Sequence, residues 1–302
     1  MNTALALDHV GIAGADLAVL SAAYERLGFT LTPPARHSGR RAPDGPIVPF
    51  GTGNRCAMLR EGYLELIAIV DPHAFTNSLE FSLARYAGLH IIALGIDDEV
   101  SNLARMRAAG IPITGIAYLE RPLDDANPSG PQARFARLIL PDAPEGRIFL
   151  IRHLTPEAIW QERFLSHPNH AIALAEVTIA SAAPAETAAR FSRLAGLPVI
   201  PDSAGGFALA LPRGRVRMIP PVALPGTAIP SLPFIAGFAV TTDDDNAAVA
   251  GILADHAVPH QSLAGGLLVS PSSAGGATIL FRSAPRHSAF TARLAAATRT
   301  ER

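Results

Sequence analysis

A chain of 302 residues with 49% hydrophobic and only 17% charged residues has ample apolar surface for about two domains and is not a disordered chain. The formal net charge of −1 removes any electrostatic case for nucleic acid or an acidic membrane surface. A single cysteine, Cys56, excludes an intramolecular disulfide framework, and no apolar stretch is long enough for a membrane span or a secretory leader, so a cytoplasmic protein is expected.

In chain order, Leu7-Asp8-His9-Val10-Gly11-Ile12-Ala13 reads as a strand bounded by Gly14 and Asp16. Asp16 is placed to cap a helix over Leu17–Leu27, which Gly28 stops. The pattern returns at His90-Ile91-Ile92-Ala93-Leu94-Gly95-Ile96, followed by Asp97-Asp98 and a helical run closing at Gly110. The ends match without gaps: Glu61-Gly62-Tyr63-Leu64-Glu65-Leu66 lies over Glu145-Gly146-Arg147-Ile148-Phe149-Leu150, each an apolar strand that starts at a glycine turn. A third copy opens at Glu176-Val177-Thr178-Ile179-Ala180, has a helix over Ala185–Leu194 and closes with Arg215-Val216-Arg217-Met218-Ile219. A fourth opens at Gly237-Phe238-Ala239-Val240 and closes with Ala277-Thr278-Ile279-Leu280. The chain is therefore read as α+β: four βαβββ modules of roughly 50–70 residues, paired into two domains over 1–156 and 170–302, with 157–169 as connector.

This pattern resembles the vicinal oxygen chelate superfamily, which includes glyoxalase I, extradiol dioxygenases and bleomycin-resistance proteins. The elements Leu7-Asp8-His9-Val10, His37, Gly51-Thr52-Gly53-Asn54 and Tyr63-Leu64-Glu65-Leu66-Ile67 are similar to its glyoxalase-like branch. The resemblance implies glyoxalase-like domains with cupped mixed sheets, in which paired modules surround a metal. It implies one ligand from the first and one from the last strand of each module. Carried over, these are His9, His90 and Glu65, while the fourth position falls on Phe149, which cannot coordinate.

Strand geometry supports the first-module ligands independently. His9 shares its face with Gly11 and Ala13, which leave space beside it, and a carboxylate at Glu65 within an apolar strand needs a partner or a cation. Two imidazoles and one carboxylate would suit Fe(II), with Mn, Ni or Zn as other occupants. The competing reading is a buried hydrogen-bond cluster without metal. His37 and Glu65 are candidate catalytic groups, and Arg36, Asn54, Tyr63 and Phe149 candidate substrate contacts. Ile67, Ile92 and Ile151 are expected to line the cup. Gly51-Thr52-Gly53-Asn54 is read as a turn, and the Ala-Gly-Gly stretches near 204–206, 264–266 and 274–276 as hairpin turns.

In the second half, Glu176 and Arg217 stand where His9 and Glu65 stand in the first, and Gly237 and Ile279 in the fourth module. An ion pair between Glu176 and Arg217 is expected there in place of a metal. The functional expectation is a metal-dependent lyase, isomerase or dioxygenase acting on a small substrate with vicinal oxygens. The alternative is a metal-free protein that sequesters a small molecule. No nucleic-acid or membrane partner is expected, and self-association into a homodimer stays open.

Overall fold

The computed structural model describes residues 3–41, 45–122, 129–224, 229–244 and 246–284. The first set of elements is β1 (Ala6–Gly14), α1 (Leu17–Arg26), β2 (Ala35–Arg40), β3 (Ile47–Met58) and β4 (Tyr63–Ile69). Helix α2 (Leu79–Arg85) leads to β5 (Gly88–Gly95), α3 (Glu99–Ala108), β6 (Gly115–Pro122), β7 (Gln132–Ile139) and β8 (Arg147–His153). After a helical turn α4 (Pro156–Ile159) come β9 (Ala171–Ala180), α5 (Pro184–Ala195), β10 (Val199–Asp202), β11 (Gly206–Ala210) and β12 (Arg215–Ile219). The last set is β13 (Phe234–Thr242), α6 (Ala247–Asp255), β14 (His260–Leu263), β15 (Gly266–Val269) and β16 (Thr278–Ser283). The architecture is mixed α+β with a mixed sheet, and residues 285–302 of the second expected domain lie outside the described residues.

Local chemistry sets the element ends. Asp16 accepts from the backbone N–H groups of Ala18 and Val19 at 2.7 and 3.0 Å, satisfying donors that the first turn of α1 leaves open. Gly196 ends α5 with φ +71°, a left-handed conformation that glycine adopts without a Cβ penalty.

In every set the first strand runs parallel to the last: β1 with β4, β5 with β8, β9 with β12 and β13 with β16. First strands then pair antiparallel, β1 with β5 and β9 with β13, while β5 and β13 touch at Ile235 and Leu89. One sheet face is covered by helices, and Leu7, Val10, Ile12, Leu64, Leu66, Ile92 and Leu94 join Leu20, Tyr24 and Met106 in a common core. Ile92 therefore belongs to this helix-side core, not to the cup as the sequence suggested. The opposite face of the first half curves into the cup.

The β1–β5 ladder carries two irregularities. Leu7 pairs with Leu94 and His9 with Ala93, leaving Asp8 as the extra residue of β1. Gly11 pairs with Ile91 and Ile12 with Leu89, leaving His90 as the extra residue of β5. A bulge re-aims the side chain of the unpaired residue. Gly11 is required where Ile91 crosses it, since a Cβ there would lie 2.7 Å from the Ile91 side chain.

One turn reading is corrected. Gly51-Thr52-Gly53-Asn54 is the middle of β3, where glycine allows close backbone approach: the N–H of Gly51 donates to Phe75 O at 2.7 Å. The stretches at 204–206, 264–266 and 274–276 lie in the connections of the antiparallel pairs β10–β11, β14–β15 and β15–β16, as expected, the last after a 3₁₀ turn.

Candidate active site

A cavity of about 530 Å³ occupies the cup. Its two sides differ in chemistry. From the first set come His9 on β1, His37 on β2, Thr52 and Asn54 on β3, and Tyr63 and Glu65 on β4. The second set contributes Ile91, Phe135, Phe149 and Ile151, with Arg137 among them. The period-2 alternation of each strand separates these side chains from the helix-side core.

On the polar side Glu65 is the hub, and its side chain is 12% exposed. It accepts from Asn54 Nδ2 at 2.6 Å and lies 3.3 Å from His37 Nε2, while His37 Nδ1 meets the Thr52 hydroxyl at 2.8 Å. Burial works against its charge, but the hydrogen bond and charge of His37, the charge of His9 and the Asn54 amide bring the carboxyl down to about 2. The structure thus brings Glu65, His37 and Asn54 together, and places Tyr63 stacked on His9 with ring centroids 4.3 Å apart.

His9 is oriented from behind. Asp8, turned by its bulge, accepts from His9 Nδ1 at 2.8 Å and from His153 Nε2 at 3.0 Å on the same oxygen. Burial opposes ionisation of Asp8, yet the hydrogen bonds and charges of His153 and His9 hold it well below the usual carboxylate range. His9 lines the cavity, and among the described residues its ring is hydrogen-bonded only through Nδ1. Trp160 packs edge-on against His153 at 4.8 Å and donates to Leu59 O at 3.0 Å. The expected connector is part of the wall of the cup through Ala158, Ile159, Gln161 and Phe164.

Two predicted site residues are elsewhere. His90 is buried outside the cup: its Nε2 bonds Tyr86 O at 2.8 Å, its ring stacks on Tyr86, and burial pushes it toward the neutral form. The reason is register. Within the first set His9 pairs with Tyr63 and Gly11 with Glu65, and within the second Ile91 pairs with Arg147 and Ala93 with Phe149. The counterpart of His9 is therefore Ile91, and His90 corresponds to bulged Asp8. Arg36 also points away, donating to Phe50 O at 2.7 Å and Asp71 at 2.6 Å.

One cation of the cup, which Arg40, Arg41, Arg147 and Arg163 also line, was missed. Arg137 is half-buried, has no hydrogen-bond or carboxylate partner among the described residues, and lies 5.4 Å over the Phe149 ring. Burial is the main pressure on its charge, with Arg147 adding to it and Glu65 relieving it. The alternation Phe135, Arg137, Ile139 on β7 was the available signal: a lone guanidinium on an otherwise apolar strand face. Asp8 and His153 were also missed, the first because nothing in sequence marks a bulge.

The donor set does not fit a metal held by three protein groups. Ile91 and Phe149 occupy both second-set ligand positions, and Glu65 is already held by Asn54 and His37. Among the described residues no cluster of three or more His, Cys, Asp or Glu side chains could hold an ion. In the second half Glu176 is 3.4 Å from Arg217 and is also bound by Arg215 and Arg282, while Asp202 takes Arg217 through two bonds of 2.7 Å. The fourth-set position is Leu280, one residue beyond the expected Ile279, because Ala239 pairs with Leu280.

Paired βαβββ sets with parallel first and last strands around an open cup define a glyoxalase-like fold. The chain belongs to the glyoxalase-like domain family, whose profile matches residues 7–195. Among solved structures it is similar to a hypothetical protein from Staphylococcus aureus, at 11% identity and TM-score 0.65, covering 93% of this chain and 100% of that one. It is also similar to a Mn(II)-bound glyoxalase from Novosphingobium aromaticivorans, at 15% identity and TM-score 0.57, covering 93% and 82%. A mutant of 4-hydroxymandelate synthase from Streptomyces coelicolor gives 14% identity and TM-score 0.55, covering 93% of each chain. At these identities the likeness speaks to the fold alone. No curated protein sequence matches the chain. No helix among the described residues is long and apolar enough to cross a membrane.

Proposed function

We propose that the cup binds a small organic acid with an apolar body and that His9 moves a proton on it. The observation carrying this reading is the pairing of an imidazole fixed by buried Asp8 with an unpartnered guanidinium across Phe149: His9 lies 5.6 Å and Arg137 5.4 Å from that ring. Arg137 neutralises the acid, and the ring and Ile91 and Ile151 cover its body. Asp8 keeps the His9 proton on Nδ1, so Nε2 is the basic atom. In a carbon acid, the C–H proton passes to Nε2 and the electron pair remains on the substrate as an enolate, which the guanidinium stabilises. Glu65, ionised far below neutrality, is a poor base and serves to orient His37 and Asn54.

The test uses aryl and alkyl 2-hydroxy and 2-oxo acids in D2O, with exchange at the 2- or 3-carbon followed by proton NMR against the protein-free rate. Exchange should be accelerated by the wild-type protein, vanish in His9→Ala and need higher acid concentration in Arg137→Ala. Equal exchange by wild type and His9→Ala would sink the reading. Ile91 and Phe149 favour a second reading, sequestration, which is the outcome if acids bind saturably by calorimetry without any exchange.

A further inference from the structure

The charge of the chain is close to balanced, with 25 basic and 26 acidic residues, yet that of the cup is not. Among the described residues its wall carries five arginines, Arg40, Arg41, Arg137, Arg147 and Arg163, against two carboxylates, Glu65 and Glu120. Three of the five are engaged. Arg40 donates to Gly45 O, Arg147 to Asp142 at 3.2 Å and Asn77 O at 2.9 Å, and Arg163 to Gln161 Oε1 at 3.0 Å. The other two share one construction. Arg137 lies over Phe149 and Arg41 lies 4.9 Å over the Phe75 ring, and neither has a hydrogen-bond or carboxylate partner among the described residues. A guanidinium laid on a ring face keeps its N–H fork free for an anion. We propose that the acid bound in the cup is a dianion, with Arg137 on its first acid group and Arg41 on a second, an inference that rests on the reading of the cup as an acid site.

Strand register separates the two guanidiniums. Arg137 stands over Phe149, whose ring is 5.6 Å from that of His9, and His37 of β2 stands 3.3 Å from Glu65. Arg41 follows directly on β2, four residues beyond His37, and extended backbone of that length carries it up to about 13 Å further along. The wall running in that direction is apolar. Cys56 pairs with Glu65, Asn54 with Ile67 and Ile47 with Arg40, so β4 passes from Glu65 to Ile67 on the way toward Arg41. Ile67 packs on Leu79, Phe50 meets Phe75 edge to face at 5.1 Å, and all four line the cavity. Its volume of about 530 Å³ is that of a site for a drug-sized molecule, more than a short monoacid fills. An acid whose apolar body ends in a second anionic group matches both guanidiniums and the wall that leads from one to the other.

The probes are suberate and sebacate, each against its monomethyl ester, which has nearly the same length and one charge fewer. Calorimetry reads their binding without any proton exchange. The diacid should bind about tenfold or more tighter than its ester, the effect of one charge-assisted contact. Arg41→Ala, at an exposed position, should bring the diacid to the affinity of the ester and leave the ester unchanged. Arg137→Ala should weaken both. Arg107→Ala, which removes an exposed guanidinium of α3 outside the cup, should change neither. Equal affinity of diacid and ester, a diacid affinity that Arg41→Ala leaves untouched, or the same loss in Arg107→Ala would each overturn the dianion. Esters that bind as well as the diacids refute only the second group, whereas a cup that takes neither form refutes the acid reading with it.

Discussion

Replacing Glu65 by Gln removes the charge at the hub of the polar side, and the consequence can be worked through. The carboxyl falls from 4.5 to about 2 on folding, so its ionised form contributes about 3 kcal/mol at neutral pH. Because the folded value is the depressed one, this stability is fully present above the unfolded value and is lost as pH falls toward the folded value. About 1 kcal/mol should be gone by pH 4 and about 2 kcal/mol by pH 3. The assay is urea denaturation of wild type and Glu65→Gln from pH 7 to pH 3, reading the difference in unfolding free energy at each pH. Other carboxylates titrate in both proteins and cancel. The gap should narrow steadily as pH falls. A gap that stays constant from pH 6 to pH 3 would show that His37 and Asn54 do not hold Glu65 ionised, and the account of the hub would fail.

Glu176→Gln should destabilise the protein by roughly 3–5 kcal/mol, because the carboxylate is 4% exposed and Arg215, Arg217 and Arg282 would be left facing one another; an unchanged melting temperature would refute that network. The register argument predicts a gain of function. Ile91→His with Phe149→Glu places donors at the second-set positions, and calorimetric Mn(II) or Zn(II) affinity should rise by roughly 100-fold or more over wild type. Unchanged affinity in a folded double variant would mean that those positions do not converge with His9 and Glu65.

The sequence by itself determined the elements and their repetition. Glycine turns, the Asp16 cap and the alternation of apolar residues are local signals, and they placed His9, His37, Asn54, Tyr63, Glu65 and Phe149 on the wall of one cavity. The Glu176–Arg217 approach was legible for the same reason, since both positions followed from the repeat. What the tertiary structure alone decided was register. A strand has period 2, so one extra residue transfers a side chain to the other face. The bulges at Asp8 and His90 turned Asp8 behind His9, removed His90 from the cup and put Ile91 in its place. Arg36 and Arg137 make the same point for charge. Both are arginines on strands, but Asp71 draws Arg36 away, whereas no carboxylate among the described residues pairs with Arg137 above Phe149. Composition and spacing are properties of the chain, but the partner that captures a long flexible side chain is set by which strands fold against each other.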